Sequence, residues 1–308
     1  MLKKLLVPVD GSRFAESAVP PAVQLARAAG GSLHLVLVHH ALPAWNPAIS
    51  FPDGGAAIEA ATRERETTYL AALTERVSRE SGLEVSQTLV RGTPGEAIAS
   101  HAAAIGAGLI VMASHGRGPV SRFWLGSTTD YVLRHVAVPV LVVHPLGDDP
   151  GAETASVPFR RILVPLDESP LSRMAVAPAE ELARLFGAEL VLLSVVEPVI
   201  GIMDPALPFP AAVDPATEQA RQDQALAALA DIVRGLQEGG VVARSVIVAA
   251  LGVGASILEV RDREGADLIA MSTHGAGGLR RAFVGSVTDK VIRGSPVPVL
   301  AWRPPQES

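Results

Sequence analysis

The sequence predicts an α/β chain of two tandem domains, each an open five-stranded parallel sheet flanked by helices. Three observations lead there. Short apolar runs alternate with amphipathic segments of helix length, the pattern of parallel βαβ units. The segment Val7-Pro8-Val9-Asp10 returns as Val164-Pro165-Leu166-Asp167, and Ser114-His115-Gly116, leading to Gly126-Ser127, returns as Thr273-His274-Gly275, leading to Gly285-Ser286. Nine residues separate the paired glycines in both copies, so whole domains are repeated and not isolated loops. Finally, 308 residues with 48% hydrophobic content can fill two cores of ordinary size.

Leu5 to Val9 reads as a buried first strand. Ser12 supplies an N-cap for a helix through about Ala28, and Gly30-Gly31 ends it, because glycine tolerates the left-handed cap. Leu33 to Val38 is the second strand, followed by a long Pro- and Gly-containing segment, His40 to Gly55. A charged helix then runs through Glu80 to a stop at Gly82. Val85 to Val90, a helix from Gly95 to about Ile105, Leu109 to Ala113, a glycine loop, a helix from Ser127 to His135 and a strand Val138 to Val143 complete five strands and four helices. The order repeats from Ile162 to Trp302, shifted by 157 positions through the second strand and by 159 from the fourth, so a two-residue insertion lies between. Pro198 to Pro215 parallels His40 to Gly55, and both are long enough to act as lids. Residues 1–146 and 159–308 are the expected domains, with the polar, aperiodic stretch 147–158 as linker.

Composition removes several functions. A net charge of −6 and no run of five basic residues argue against nucleic acid as partner. With no Cys, disulfides and thiolate catalysis are excluded. The apolar start breaks at Pro8, and no stretch reaches the ~18 apolar residues of a membrane span. The expectation is a cytoplasmic protein without a membrane partner.

Asp10 and Asp167 follow a buried strand, at the carboxyl edge where open α/β sheets hold ligands, and a carboxylate there can accept from ribose hydroxyls. Each could instead organise its own turn with Gly11-Ser12 or Glu168-Ser169. Backbone N–H groups of Ser114, His115, Gly116, Arg117 and Gly118, and a helix opening at Gly126-Ser127, suit phosphate. Gly275, Gly277, Gly278, Gly285 and Ser286 repeat the arrangement, with Arg280 and Arg281 near the place of Arg122. The competing structural reading makes Ser127 with Asp130, and Ser286 with Asp289, capping boxes.

On these residues the chain resembles the universal stress protein family in its tandem form, over nearly its whole length. The family's Gly-x-x-Gly, nine-residue gap, Gly-Ser/Thr pattern is kept except at its first glycine, replaced by Ala113 and Ser272. The resemblance implies a Rossmann-like fold of the adenine nucleotide alpha hydrolase type, with ATP or ADP between strands one and four. It places Asp10 and Asp167 on the ribose, flanked by Pro8, Val9, Pro165 and Leu166. Val38 and Val195 lie by the adenine. Ala113, His115, Gly116, Arg117, Gly126, Ser127 and Thr128, with Ser272, His274, Gly275, Gly285, Ser286 and Val287, line the phosphates. The closing strands Val138 to Val143 and Val297 to Trp302 resemble the family's edge strand, which implies an internal pseudo-dimer, with homodimerisation beyond it.

Domain one, with Arg117 and Arg91, is expected to hold triphosphate more tightly than domain two, with Ala276 and Leu251. No catalytic residue and no dedicated metal site is assigned. His115 and His274 lack triad partners in the sequence, and the rings of His39 and His40 fall on opposite strand faces. Mg2+ would arrive with the nucleotide. The P-loop lysine is missing, so efficient phosphoryl transfer is not expected. The leading reading is a nucleotide-binding regulatory protein of the stress response with protein partners the sequence does not name. The alternatives are slow ATP hydrolysis or phosphotransfer, and a scaffold that has lost nucleotide.

Overall fold

A computed structural model describes residues 1–40, 56–114, 125–144, 158–198, 215–273 and 284–303. The chain folds as two compact units, one on Met1–Pro158 and one on Phe159–Ser295 with Val299–Pro304.

In the first unit the elements are β1 (Lys4–Val9), α1 (Arg13–Glu16), α2 (Val19–Ala29), β2 (Ser32–His39), α3 (Ala56–Ser81), β3 (Val85–Arg91), α4 (Pro94–Ala104), β4 (Leu109–Ala113), α5 (Ser127–His135) and β5 (Val140–Val143). The strand order is β3-β2-β1-β4-β5, and the pairs β1–β2, β2–β3, β1–β4 and β4–β5 are all parallel. Central position explains composition: Leu5, Leu6, Val7 and Val9 of β1 and every residue of β4 are buried, since helices cover both faces. On β2 the two faces are distinct. His39 meets Glu66 of α3, whereas His34 meets His101 of α4.

The second unit repeats this plan with β6 (Arg161–Pro165), α6 (Pro170–Arg173), α7 (Val176–Phe186), β7 (Glu189–Val196), α8 (Pro215–Glu238), β8 (Ala243–Ala249), α9 (Val253–Glu264), β9 (Leu268–Ser272), α10 (Ser286–Gly294) and β10 (Val299–Trp302). Its strands run β8-β7-β6-β9-β10, again parallel. The two-residue insertion is split. Ala243 faces Leu190 as Val85 faces Leu33, which places one residue before β8 and the other between β8 and α9.

Two expectations need correction. The helix expected from Ser12 to Ala28 is two helices, α1 and α2. Pro20 and Pro21 have no N–H to give the carbonyls of Glu16 and Ser17, so the chain restarts at Val19, where early prolines are tolerated. Pro178 has the same effect between α6 and α7. The last strand of the first unit begins at Val140 and not Val138, for Pro139 cannot donate to a ladder and contributes only its carbonyl, to Ile110 N–H at 3.0 Å.

Gly95 shows how tightly α4 seats on α5. A Cβ built there would lie 2.6 Å from the Tyr131 ring, whereas at Gly254 the obstacle is the flexible Lys290 side chain. Gly95→Ala is expected to destabilise the first unit by about 1–3 kcal/mol through overpacking. Urea unfolding checks this: the midpoint should fall at unchanged m-value, with a smaller change for Gly254→Ala.

Candidate functional site

The carboxyl ends of β1 and β4 are neighbours, and chain order reverses between them, which makes this the switch point of the first sheet. Asp10 stands there directly after β1. Its Oδ1 accepts from Ser12 N–H at 2.9 Å, Gly11 takes φ +82° between them, and Ser12 Oγ in turn accepts from Ala15 N–H at 3.1 Å to start α1. The turn reading of Asp10 is therefore realised for one carboxylate oxygen. In the second unit Asp167 Oδ1 accepts from Ser169 N–H at 3.1 Å and Ser169 Oγ at 2.6 Å, while Asp167 N–H donates to Ser172 Oγ at 3.2 Å.

The two turns differ at one residue. Glu168, φ +65°, occupies the left-handed position that Gly11 fills in the first unit. A side chain there costs about 1 kcal/mol, and the Gln224 amide donating to Glu168 Oε2 at 3.4 Å is an exposed, weak return. Glu168→Gly is expected to raise the stability of the second unit by about 0.5–1 kcal/mol. Chemical unfolding resolves that, and an unchanged midpoint would show that relieving the strained turn gains nothing over the Gln224 contact.

The helix that follows each β4-type strand is fastened in the same way in both units. Gly126 N–H donates to Ser114 O at 2.8 Å and Thr129 Oγ1 to Ala113 O at 3.0 Å; Gly285 N–H donates to Thr273 O at 2.9 Å and Thr288 Oγ1 to Ser272 O at 3.0 Å. Both threonines are buried. The N–H of Gly126 and of Gly285 is thus spent on the strand. Each helix's own ladder begins later, with Asp130 N–H donating to Gly126 O and Asp289 N–H to Gly285 O, both 2.9 Å. The amides of Ser127, Thr128 and Thr129, and of Ser286, Val287 and Thr288, precede that ladder and point along the positive end of the dipole.

The capping boxes do not form. Gly126 and Gly285 are the N-caps, with no side-chain cap hydrogen bond. Fastening Gly126 to Ser114 moves the cap one residue back, so Ser127 is already helical. Asp130 turns to Arg134, at 3.0 Å from Nε and 2.6 Å from Nη2, and Asp289 to Arg293 Nε at 2.8 and 2.9 Å. The acidic charge that would oppose a phosphate is therefore balanced within its own helix.

Val38 and Val195 are half-buried near the ends of β2 and β7, paired with Val90 and Val248. Pro8 and Val9 end β1, and Pro165 ends β6 with buried Leu166 just beyond. Ala113, Ser114, Ser272 and Thr273 are buried at the ends of β4 and β9. His115, Gly116, Arg117, Gly118 and Arg122, with His274, Gly275, Ala276, Gly277, Gly278, Arg280 and Arg281, lie outside the described residues, as do 41–55, 199–214 and linker residues 147–157.

Near Asp10, and separately at the end of β2, the fold adds groups that no local motif announced. Tyr69 of α3 donates to Glu16 Oε1 at 2.9 Å, and Arg76 Nη2 sits 2.6 Å from Glu16 Oε2. Burial, then the charges of Glu16 and Asp10, push the Tyr69 hydroxyl up, so it stays protonated beside Asp10. His39 is buried with Nδ1 2.6 Å from Glu66 Oε2 and Nε2 3.7 Å from Glu59 Oε1. His40, exposed, approaches Gly92 O with Nδ1 at 3.3 Å. Arg91, expected to strengthen a phosphate site, pairs with Glu59 at 2.8 Å. The seven-residue spacing of Glu59 and Glu66 on one helix face was the available signal for this cluster.

The universal stress protein family model matches residues 1–144 and again 158–303. The chain belongs to the universal stress protein family. This tandem universal stress protein is 29% identical over 300 residues to a universal stress protein of Mycobacterium tuberculosis, spanning 97% of this chain and 96% of that one. A universal stress protein of Methanocaldococcus jannaschii is 31% identical over 152 residues, 48% of this chain and 85% of the relative. Among solved structures, a universal stress protein from Archaeoglobus fulgidus matches with TM-score 0.69 at 20% identity, covering 99% of this chain and 97% of that one. One from Pseudomonas aeruginosa matches at TM-score 0.62 and 17% identity, covering 98% and 94%. These structural likenesses bear on the fold. Among the described residues no helix is long and apolar enough to cross a membrane.

Proposed function

We propose that this universal stress protein binds ATP or ADP at the β1/β4 switch point and acts as a nucleotide-dependent regulatory module of the stress response. The observation that supports it most is the duplicated pairing of a strand-end carboxylate with a helix start that carries no side-chain cap. A nucleotide needs both chemistries: an acceptor for ribose hydroxyls, which Asp10 supplies, and N–H donors on a positive dipole for phosphate, which Ser127 and Thr128 supply. Asp167, Ser286 and Val287 are the counterparts. Mg2+ would come with a triphosphate and be held by phosphate oxygens.

Domain one is the stronger site in this reading. Arg91 is paired with Glu59, so the preference rests on Arg117, whose counterpart is Ala276, and on the turn, where Gly11 adds no side chain and Glu168 adds a carboxylate beside Asp167. Calorimetric titration of the intact chain with ATP and ADP tests the reading. Saturable binding with a tighter first site is expected; no heat and no thermal shift with either nucleotide would leave a scaffold without nucleotide as the function.

A further inference from the structure

At the amino-terminal half of the first sheet, remote in the strand from Val38 and Asp10, three polar side chains meet in the seam between β2, β3 and α4. His34 Nε2 is 2.8 Å from His101 Nε2, and His34 Nδ1 is 2.7 Å from Ser86 Oγ. Ser86 Oγ donates to Leu33 O at 3.3 Å. That last bond orders the chain of protons. The Ser86 hydroxyl, having given its hydrogen to Leu33, accepts from His34 Nδ1–H, so His34 Nε2 carries the lone pair and accepts His101 Nε2–H.

The second unit shows that the fold does not require these histidines. At the same places in β7 and α9 stand Val191 and Val260, both buried, and Arg244 replaces Ser86. There the seam is held by ions: Arg244 bonds Glu189 at 2.7 Å and Glu264 at 2.7 Å, and Arg161 bonds Glu189 at 2.6 Å. Burial would raise the Glu189 carboxyl, but the hydrogen bonds from Arg161 and Arg244 outweigh it and hold it below its usual range. The hydrogen bond from Arg244 likewise holds Glu264 low. Moderate acid leaves that network charged.

We propose that the His34–His101 hydrogen bond is a proton-operated latch between β2 and α4, which acid opens in domain one while domain two stays closed. Among the described residues, the titratable and polar groups facing His34 are His101 from α4, Lys4 from β1 and the Ser86 hydroxyl from β3. None is a carboxylate that could stabilise an imidazolium. A first proton, on His101 Nδ1, leaves its Nε2–H still donating to His34. A second, on His34 Nε2, sets two N–H groups face to face, and the latch breaks. Burial, then the charges of His101 and Lys4, lower His34 to about 4 from 6.5, and burial lowers His101.

The test uses the full chain. In imidazole NMR titrations His34 should resist protonation until well below 6.5 and sit as the Nδ1–H tautomer at neutral pH. Hydrogen exchange, corrected for intrinsic rates, should show protection of 94–104 falling about tenfold or more relative to 253–264 between about pH 7 and 4.5. His34→Val with His101→Val installs the second unit's solution, and the ratio should then be flat. An ordinary midpoint for His34, or a ratio that falls equally in the double variant, would overturn the latch. If that variant does not fold, the wild-type titration alone decides.

Discussion

Asp10→Ala is expected to weaken ATP binding to domain one by about 10–100-fold. The carboxylate would make charge-assisted hydrogen bonds to ribose, each worth about 1.5–3 kcal/mol, and tenfold in affinity is about 1.4 kcal/mol. The substitution also removes the acceptor for Ser12 N–H, so a loss of binding through a loosened turn must be separated from a lost ribose contact. Asp10→Asn does this. Its amide oxygen still accepts from Ser12, as Asn commonly does in such turns, but the charge is gone. The expected order of affinity is wild type, then Asn, then Ala, with the Asn variant as stable as wild type. Calorimetry with ATP and chemical unfolding measure the two quantities separately. Asn binding ATP as tightly as wild type would assign Asp10 to the turn.

The second large effect is an acid loss of stability that the His34–His101 seam adds in domain one. The sign follows from the direction of the shift: His34 titrates lower folded, at about 4, than its ordinary 6.5. Above 6.5 neither state is protonated and nothing is lost. As pH falls through 6.5 the unfolded chain takes up a proton that the native seam refuses, so stability declines until about 4, where the native state also accepts it. At ~1.4 kcal/mol per pH unit, the window from 6.5 down to about 4 amounts to about 3–3.5 kcal/mol. Global carboxylate titration acts in the same range, so the informative quantity is the difference between wild type and the His34→Val, His101→Val chain. Their stabilities should converge at neutral pH after a constant offset and diverge by that amount near pH 4.

The strands were legible because burial on both faces demands long apolar runs, and β1, β4, β6 and β9 carry them. The glycine stops after α2 and α7 were legible for a steric reason, and Gly30 and Gly187 do take left-handed angles of +58° and +67°. The prolines that split the first helix were in plain view, but the periodic apolar positions on either side of Ser17 hid the break. At α5 and α10 a local pattern misled. Ser127-x-x-Asp130 has capping-box spacing, yet the cap is decided by Gly126 N–H reaching Ser114 O, a contact across the loop. The same limit hid the seam and the Asp10 surroundings. His34 and His101 are 67 positions apart and Tyr69 and Glu16 are 53, and only strand order and helix placement bring them together.

The most direct measurement of the central claim is the nucleotide content of gently purified protein, by acid extraction and chromatography, for wild type, Asp10→Ala and Asp167→Ala. Adenine nucleotide is expected in wild type, with a marked loss in Asp10→Ala and a smaller one in Asp167→Ala. A wild-type chain that carries no nucleotide and takes up none when ATP is added would contradict that claim.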